Sequence, residues 1–344
     1  MSDSNRSDAI DLLKVWFALG VMGIHTQAIN QFSDITQYYI MKIYFRVGVP
    51  FFFVTTGYFW GKKIIDKKKE ERLRLAIDYC KRLIRPVVIF GLFGLSWAVV
   101  SDSVVGGNWI YHLMLDLHNS IFYPRGAMWF LVASGIATLI IAYLYDSLGM
   151  LLFFAIIGYC YALLCNSYYF LSLDTKLQQI IDTYMSFFVS ARNGVFVGVP
   201  LLGVGVLVAK KEKLYNDKPL MAKIFVFGIA LVLYMIEVSF LRNKTGLDDE
   251  SLYITTPFLA AMIFIVGRSI KLPYSNEKSK QLRKISKWIY YFHPVFNSYI
   301  GAAIFLFTNK NGMIQFLYCG CSCLLVYYIV EIKDKLSFLK KIIE

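Results

Sequence analysis

Charge is scarce in this chain. Asp, Glu, Lys and Arg together make up only 17% of its 344 residues, whereas 57% are hydrophobic and the mean hydropathy is +0.53. Soluble domains run at about 25% charged and about 45–50% apolar. A soluble protein of this size could bury a large core, but it could not cover so much apolar surface with so few charges. A water-soluble enzyme is therefore excluded, and the composition predicts an all-α, polytopic membrane protein. Other things are also missing. There is no soluble domain, low-complexity linker or internal repeat. The opening "MSDSNRSDAIDLLK" is polar, and no small-residue cleavage site follows the first apolar run, so no cleavable signal peptide is expected. The chain stops twelve residues after the last apolar span, so any soluble partner domain is expected to be absent or removed. The six cysteines form no framework. In "CGCSC" the thiols of Cys319, Cys321 and Cys323 recur at every second residue, which scatters them around a helix and gives no four-ligand zinc pattern. Packing thiols are expected, with no disulfide and no metal.

Ten apolar segments are present, at 10–30, 40–60, 84–104, 127–145, 148–165, 187–209, 221–241, 252–270, 288–308 and 313–332. Each is near the length a bilayer requires. The net charge of +13 is concentrated between these segments. A nucleic-acid binder would not alternate basic clusters with twenty-residue apolar spans, so no nucleic-acid partner is expected. With the N-terminus inside, the inner segments hold 28 Lys and Arg residues and the outer loops five. That asymmetry places both termini on the cytoplasmic side of a membrane. The basic segment 61–85, "GKKIIDKKKEERLRLAIDYCKRLIR", is the largest inner loop within a single domain spanning 1–344. It suits anionic lipid headgroups or a polyanionic cytoplasmic ligand.

Ionisable residues inside such spans are costly and therefore mark candidate functional positions. These are His25, Arg46, Arg192, Glu237 and His293, with Asp11 and Lys14 at the inner end of the first span. Lys14 and His25 are eleven positions apart, which puts them on one helix face about 16 Å from each other. Histidine serves as a base or nucleophile near neutral pH, or as a hydrogen-bonded link between helices. Arg82 and Arg85 in "KRLIRP" are neighbours at i,i+3, and Pro86 suits a helix first turn, so the third span is expected to start there. Two guanidiniums beside a helix N-terminus make a phosphate site, or else two snorkelling arginines that flag the cytoplasmic side. A buried Arg46 needs a partner, and Glu237 is a candidate. Arg192 lies at an outer span end. His293 precedes Pro294, where a structural role beside a kink is expected. His112, His118 and Asp116 share an outer loop but are too few to define a metal site.

In order along the chain, several stretches resemble the acyltransferase 3 family of bacterial multi-pass membrane O-acyltransferases. "IDLLKVWFALGVMGIH" is similar to that family's first helix, with a basic residue, ten positions, then histidine. "YFRVGVPFFFVTTGYF" carries threonine where the family usually has serine. "RLIR" matches its paired-arginine motif, and "MWFL", containing Trp129, its Trp-Phe-Leu motif. "ARNGVFVGVPLLGVG" and "IYYFHPV" are similar to its sixth and late helices. The resemblance implies that acetyl-CoA approaches from the cytoplasm, with its phosphates on Arg82 and Arg85. It further implies that His25 acts as acyl carrier or base, with Lys14 orienting or neutralising charge. The acceptor it implies is an envelope glycan or a lipid-linked sugar. The same fold also resembles the membrane domain attached to serine racemases of vancomycin-resistance systems, which is assigned to moving serine. In that case Arg46, Arg192 and Glu237 would handle the amino acid's charges. Transporters usually show inverted repeats or broken midplane helices. No clear pair is visible, which favours the enzyme. A scaffold role in envelope assembly is disfavoured by the histidine and arginine motifs.

Overall fold

The computed structural model describes residues 7–105, 109–124, 126, 128–242, 244, 251–308, 310–333 and 336–343. Arg6, Arg125 and Lys335, counted in the charge asymmetry, lie outside them, as does the side chain of His112. The fold is all-α, with no strand among the described residues. In chain order the helices are α1 (Asp8–His25), α2 (Asp34–Tyr39), α3 (Gly48–Ile64), α4 (Lys69–Val105) and α5 (Trp109–Phe122). Next come α6 (Met128–Leu144), α7 (Leu148–Leu164), α8 (Lys176–Phe188), α9 (Val199–Lys210), α10 (Glu212–Asn216) and α11 (Leu220–Leu241). The last are α12 (Thr256–Ser269), α13 (Asn276–Phe296), α14 (Ala302–Phe307), α15 (Gly312–Tyr327) and α16 (Ser337–Ile343). Widened π turns occupy Ile40–Phe45, Gly194–Gly198, Asn297–Gly301 and Tyr328–Ile332.

Two described helical stretches are long and apolar enough to cross a bilayer, Leu220–Leu241 and Gly312–Ile332. Shorter apolar helices accompany them, among them α6, α7 and α12. Their surfaces are unlike those of soluble helices. On α7, Phe153, Phe154, Ile156 and Ile157 are all exposed, and on α11 so are Met221, Phe225, Val232, Ile236 and Phe240. Apolar surface this continuous needs a partner phase.

The chain divides into two compact units. The first comprises 1–55, 211–236 and 255–340. Within it α1 packs along α13, burying Ile10, Phe17, Ala18 and Met22 of α1 and Trp288 and Ile289 of α13. Met22, Ile289, Cys319 and Cys323 form one cluster, so the two buried thiols of α15 sit on one face, while Cys321 is exposed. All six thiols are free.

The second unit comprises 56–210, 237–254 and 341–344. Two of its contacts are built on glycine. Gly57 and Gly61, four apart on α3, face α9, where a Cβ at Gly57 would lie 2.0 Å from the Leu202 carbonyl oxygen. Gly194 and Gly198 of the π turn meet α6 in the same way, and a Cβ at Gly198 would stand 2.8 Å from the Ala133 oxygen. This is the small-residue spacing that lets membrane helices approach backbone to backbone. Gly57→Ala is expected to destabilise the fold by roughly 3 kcal/mol, because α3 and α9 must separate. Thermal unfolding in detergent checks this, and a melting point equal to wild type would contradict the contact.

The third span was expected to begin at Pro86. Instead, α4 runs unbroken from Lys69 to Val105, about 55 Å, with Pro86 inside it. An interior proline removes one backbone hydrogen bond. Packing on α6 offsets the loss, since Tyr79 and Ser134 hydroxyls meet at 3.2 Å and the Cys80 thiol donates to the Gly135 carbonyl. Helix also extends beyond the expected spans elsewhere. α4 starts within the basic segment 61–85, α13 starts at Asn276 well ahead of the expected span, and α5 and α8 lie in segments read as outer loops.

Candidate functional site

In the first unit the focus is His25, the last residue of α1, whose imidazole is exposed. The helix ends as Gln27 takes a positive φ of 51°, after Thr26, whose hydroxyl and N–H both donate to the Met22 carbonyl at 3.0 Å. A helix end leaves carbonyls unsatisfied. That of His25 accepts from Asn297 Nδ2 at 3.0 Å, and Asn297 Oδ1 in turn accepts from Gln315 Nε2 at 2.7 Å. Three segments thus fix the histidine's backbone: α1, the π turn after α13, and α15. Gly301 permits this approach, because a Cβ there would crowd Gln315 Nε2 at 2.8 Å. π turns recur at functional sites.

The same arrangement brings His293 to His25. Their ring centroids are 5.2 Å apart and the planes are inclined at 36°. His293 is completely buried, with Nδ1 at 2.8 Å from the Ile289 carbonyl oxygen one turn back. A carbonyl only accepts, so Nδ1 carries the proton and Nε2 carries a lone pair. That Nε2 has no hydrogen-bond partner among the described residues. This bond to Ile289 lies one residue ahead of Pro294, which sits inside α13.

Lys14 is engaged at the other end of α1. Its ammonium lies 3.4 Å from Asp11, whose second oxygen takes a guanidinium N–H of Arg283, and Ser279 donates to Asp8. These contacts tie α1 to α13 and leave Lys14 in a charge network about three helical turns from His25. Arg46 is half-buried just after the π turn Ile40–Phe45.

In the second unit, Arg82 and Arg85 are exposed on α4. Arg85 donates to the Lys341 carbonyl at 2.6 Å, and the Arg82 guanidinium lies 5.9 Å from the Tyr79 ring centre. Burial, and then the Arg82 charge, hold the Lys63 ammonium below its ordinary pKa. A bound polyanion would relieve that repulsion. At the far end of α6, Trp129 stacks on Tyr123 at 5.8 Å, and the Arg192 guanidinium lies 5.3 Å from that same ring. Arg192 also donates to the Ser251 hydroxyl. Glu237, proposed from sequence as a partner for Arg46, accepts at one oxygen from the Tyr168 hydroxyl and the Ile254 N–H, both at 2.6 Å. Asp116 is buried, and the His118 ring meets Phe187 edge-on at 5.4 Å. No group of three His, Cys, Asp or Glu able to hold a metal occurs among the described residues.

Of the residues singled out from sequence, the structure therefore gathers His25 with His293, and Trp129 with Arg192. Asn297, Gln315 and Tyr123 carry these arrangements and were missed. Only Asn297, one turn after His293, gave a signal that helical spacing could have used.

The family model that matches this chain is acyltransferase 3, described as an acyltransferase domain, over residues 7–331. Curated relatives include an amino-acid racemase of Enterococcus faecalis, 26% identical over 98% of this chain and 48% of that protein. A serine/alanine racemase of Enterococcus gallinarum is 23% identical over 90% of this chain and 43% of its own length. The chain spans about half the length of the curated relatives it matches. No solved structure matches it.

Proposed function

This chain belongs to the acyltransferase 3 family, and on that premise we propose that it is a multi-pass O-acyltransferase of the cytoplasmic membrane. In this proposal about ten membrane passages keep both termini inside, as the basic inner segments favour. Acyl-CoA, with acetyl as the acyl group, is the donor. Arg82 and Arg85 offer paired forks to its phosphates. The acceptor is a hydroxyl of an envelope glycan or lipid-linked sugar. The acceptor oxygen bonds to the acyl carbon as its proton passes to His25. The carbon–sulfur bond breaks, and the thiolate takes that proton. In the two-step route His25 itself first carries the acyl group.

The observation that carries this reading is His25. It is an exposed residue whose backbone carbonyl is held by Asn297, and it stands where the first-helix sequence resembles the family's pattern of a basic residue, ten positions, then histidine. Lys14, in its pair with Asp11, contributes charge balance at the start of that helix.

The racemase names of the relatives favour a second reading, a membrane domain that moves serine. One experiment separates the two. Purified protein in liposomes is given acetyl-CoA with a chitooligosaccharide outside, and separately radiolabelled L-serine. Acetyl-CoA binding with acetylated sugar supports the transferase. Serine uptake with no acetyl-CoA binding overturns it.

A further inference from the structure

We infer that His293 is a positioning residue for His25, and that its buried Nε2 accepts the N–H of the His25 imidazole as that ring becomes positively charged. The inference has three observations behind it. The rings are 5.2 Å apart between centroids, a separation at which two imidazole nitrogens can share one hydrogen bond. The Nδ1–H···O=C bond to Ile289 fixes the tautomer, so Nε2 is an acceptor and not a donor. And Nε2 is left without a hydrogen bond in the interior, although burying an unpaired acceptor is costly.

A fold that only needed to secure the kink would be served by the Nδ1 anchor alone. The ring lies beside exposed His25, and an unpaired acceptor is useful there. When His25 takes a proton at one nitrogen, the other must carry its own N–H. A neutral imidazole lone pair holds that N–H, sets the ring orientation and stabilises the charge, without adding a second charge to an apolar setting. No bond is made or broken at His293, and its own proton stays on Nδ1. Cys319, whose thiol donates to the His293 carbonyl at 3.5 Å, holds the ring's backbone in place.

The chemistry rests on the acyltransferase reading, whereas the geometry of the ring pair does not. The test therefore has two arms. His293→Asn keeps a donor near the Nδ1 position and deletes the acceptor, and His293→Gln places an amide oxygen near the Nε2 position. In the first arm, transfer from acetyl-CoA to chitooligosaccharide is followed. The Asn variant is expected to lose about 10- to 100-fold in kcat with KM for acetyl-CoA unchanged, and the Gln variant to recover most of it. In the second arm, diethylpyrocarbonate modification of His25 is timed by peptide mapping. This reaction also places positive charge on the ring. It is expected to slow about fivefold or more in the Asn variant and to recover in the Gln variant. Melting points within a degree or two of wild type accompany both results. Equal rates for wild type and the Asn variant overturn the inference, and so does an equal loss in both variants with lowered melting points. If wild type transfers no acetyl group but the modification arm responds as expected, the acyltransferase reading falls and the histidine pair stands.

Discussion

His25→Ala is expected to lower acyl transfer about a thousandfold while changing acetyl-CoA affinity by less than about twofold. The magnitude follows from what the residue does. A positioned proton acceptor contributes about 10²–10⁴ to rate, and the neighbouring imidazole, His293, is buried with its Nδ1 bonded to Ile289. The affinity should survive because the imidazole stands at the end of a helix whose packing runs through Ile10, Phe17, Ala18 and Met22, none of which the substitution touches. Thr26 and Asn297 also bind backbone carbonyls, which alanine retains. The measurement is a pair of assays on one preparation: equilibrium binding of labelled acetyl-CoA, and its single-turnover transfer. Acetyl-CoA incubated without acceptor adds a further arm. A labelled acyl group recovered on the His25 peptide assigns the two-step route, and unlabelled protein assigns direct transfer. Undiminished transfer by the alanine variant would remove His25 from the chemistry altogether.

The Arg82→Ala/Arg85→Ala protein is expected to bind acetyl-CoA at least about 100-fold more weakly. Each charge-assisted hydrogen bond is worth about 1.5–3 kcal/mol, so losing two costs about 3–6 kcal/mol. Arg85 already gives one N–H to the Lys341 carbonyl, but a guanidinium has several more to offer. The arginines are exposed on a helix held to α6 by Tyr79 and Cys80, so the fold should tolerate the change. Replacement by lysine keeps the charge and loses the planar fork, and should restore affinity only in part. Wild-type affinity should also fall as salt rises, because exposed charges are screened over about 8 Å at physiological ionic strength. Acetyl-CoA affinity that is indifferent to both arginines would move the phosphates elsewhere and leave the pair as markers of membrane orientation.

The sequence by itself determined the class of the molecule. With so few charges and apolar runs of about twenty residues, helices against an apolar phase were the structure to expect. Two apolar runs, 127–145 and 148–165, were readable almost to the residue, as α6 (Met128–Leu144) and α7 (Leu148–Leu164). The first-helix spacing of Lys14 and His25 was equally legible, because helical periodicity is local. Pro86 misled for the same reason. Its preference for a first turn is local, while the contacts that keep α4 intact around it come from α6, more than fifty residues away. α5 and α8 were invisible as helices for want of bilayer length; they are held partly by aromatic contacts such as Phe122 with Phe187. The histidine pair was out of reach altogether. His25 and His293 stand at opposite ends of the chain, and no periodicity relates them. What unites them is the packing of α1 along α13 and the π turn that sets Asn297 on the carbonyl of His25. Composition and periodicity decide what a segment can become, because they act within a few turns of helix. Which side chains share a site is decided by packing, which acts across any distance in sequence.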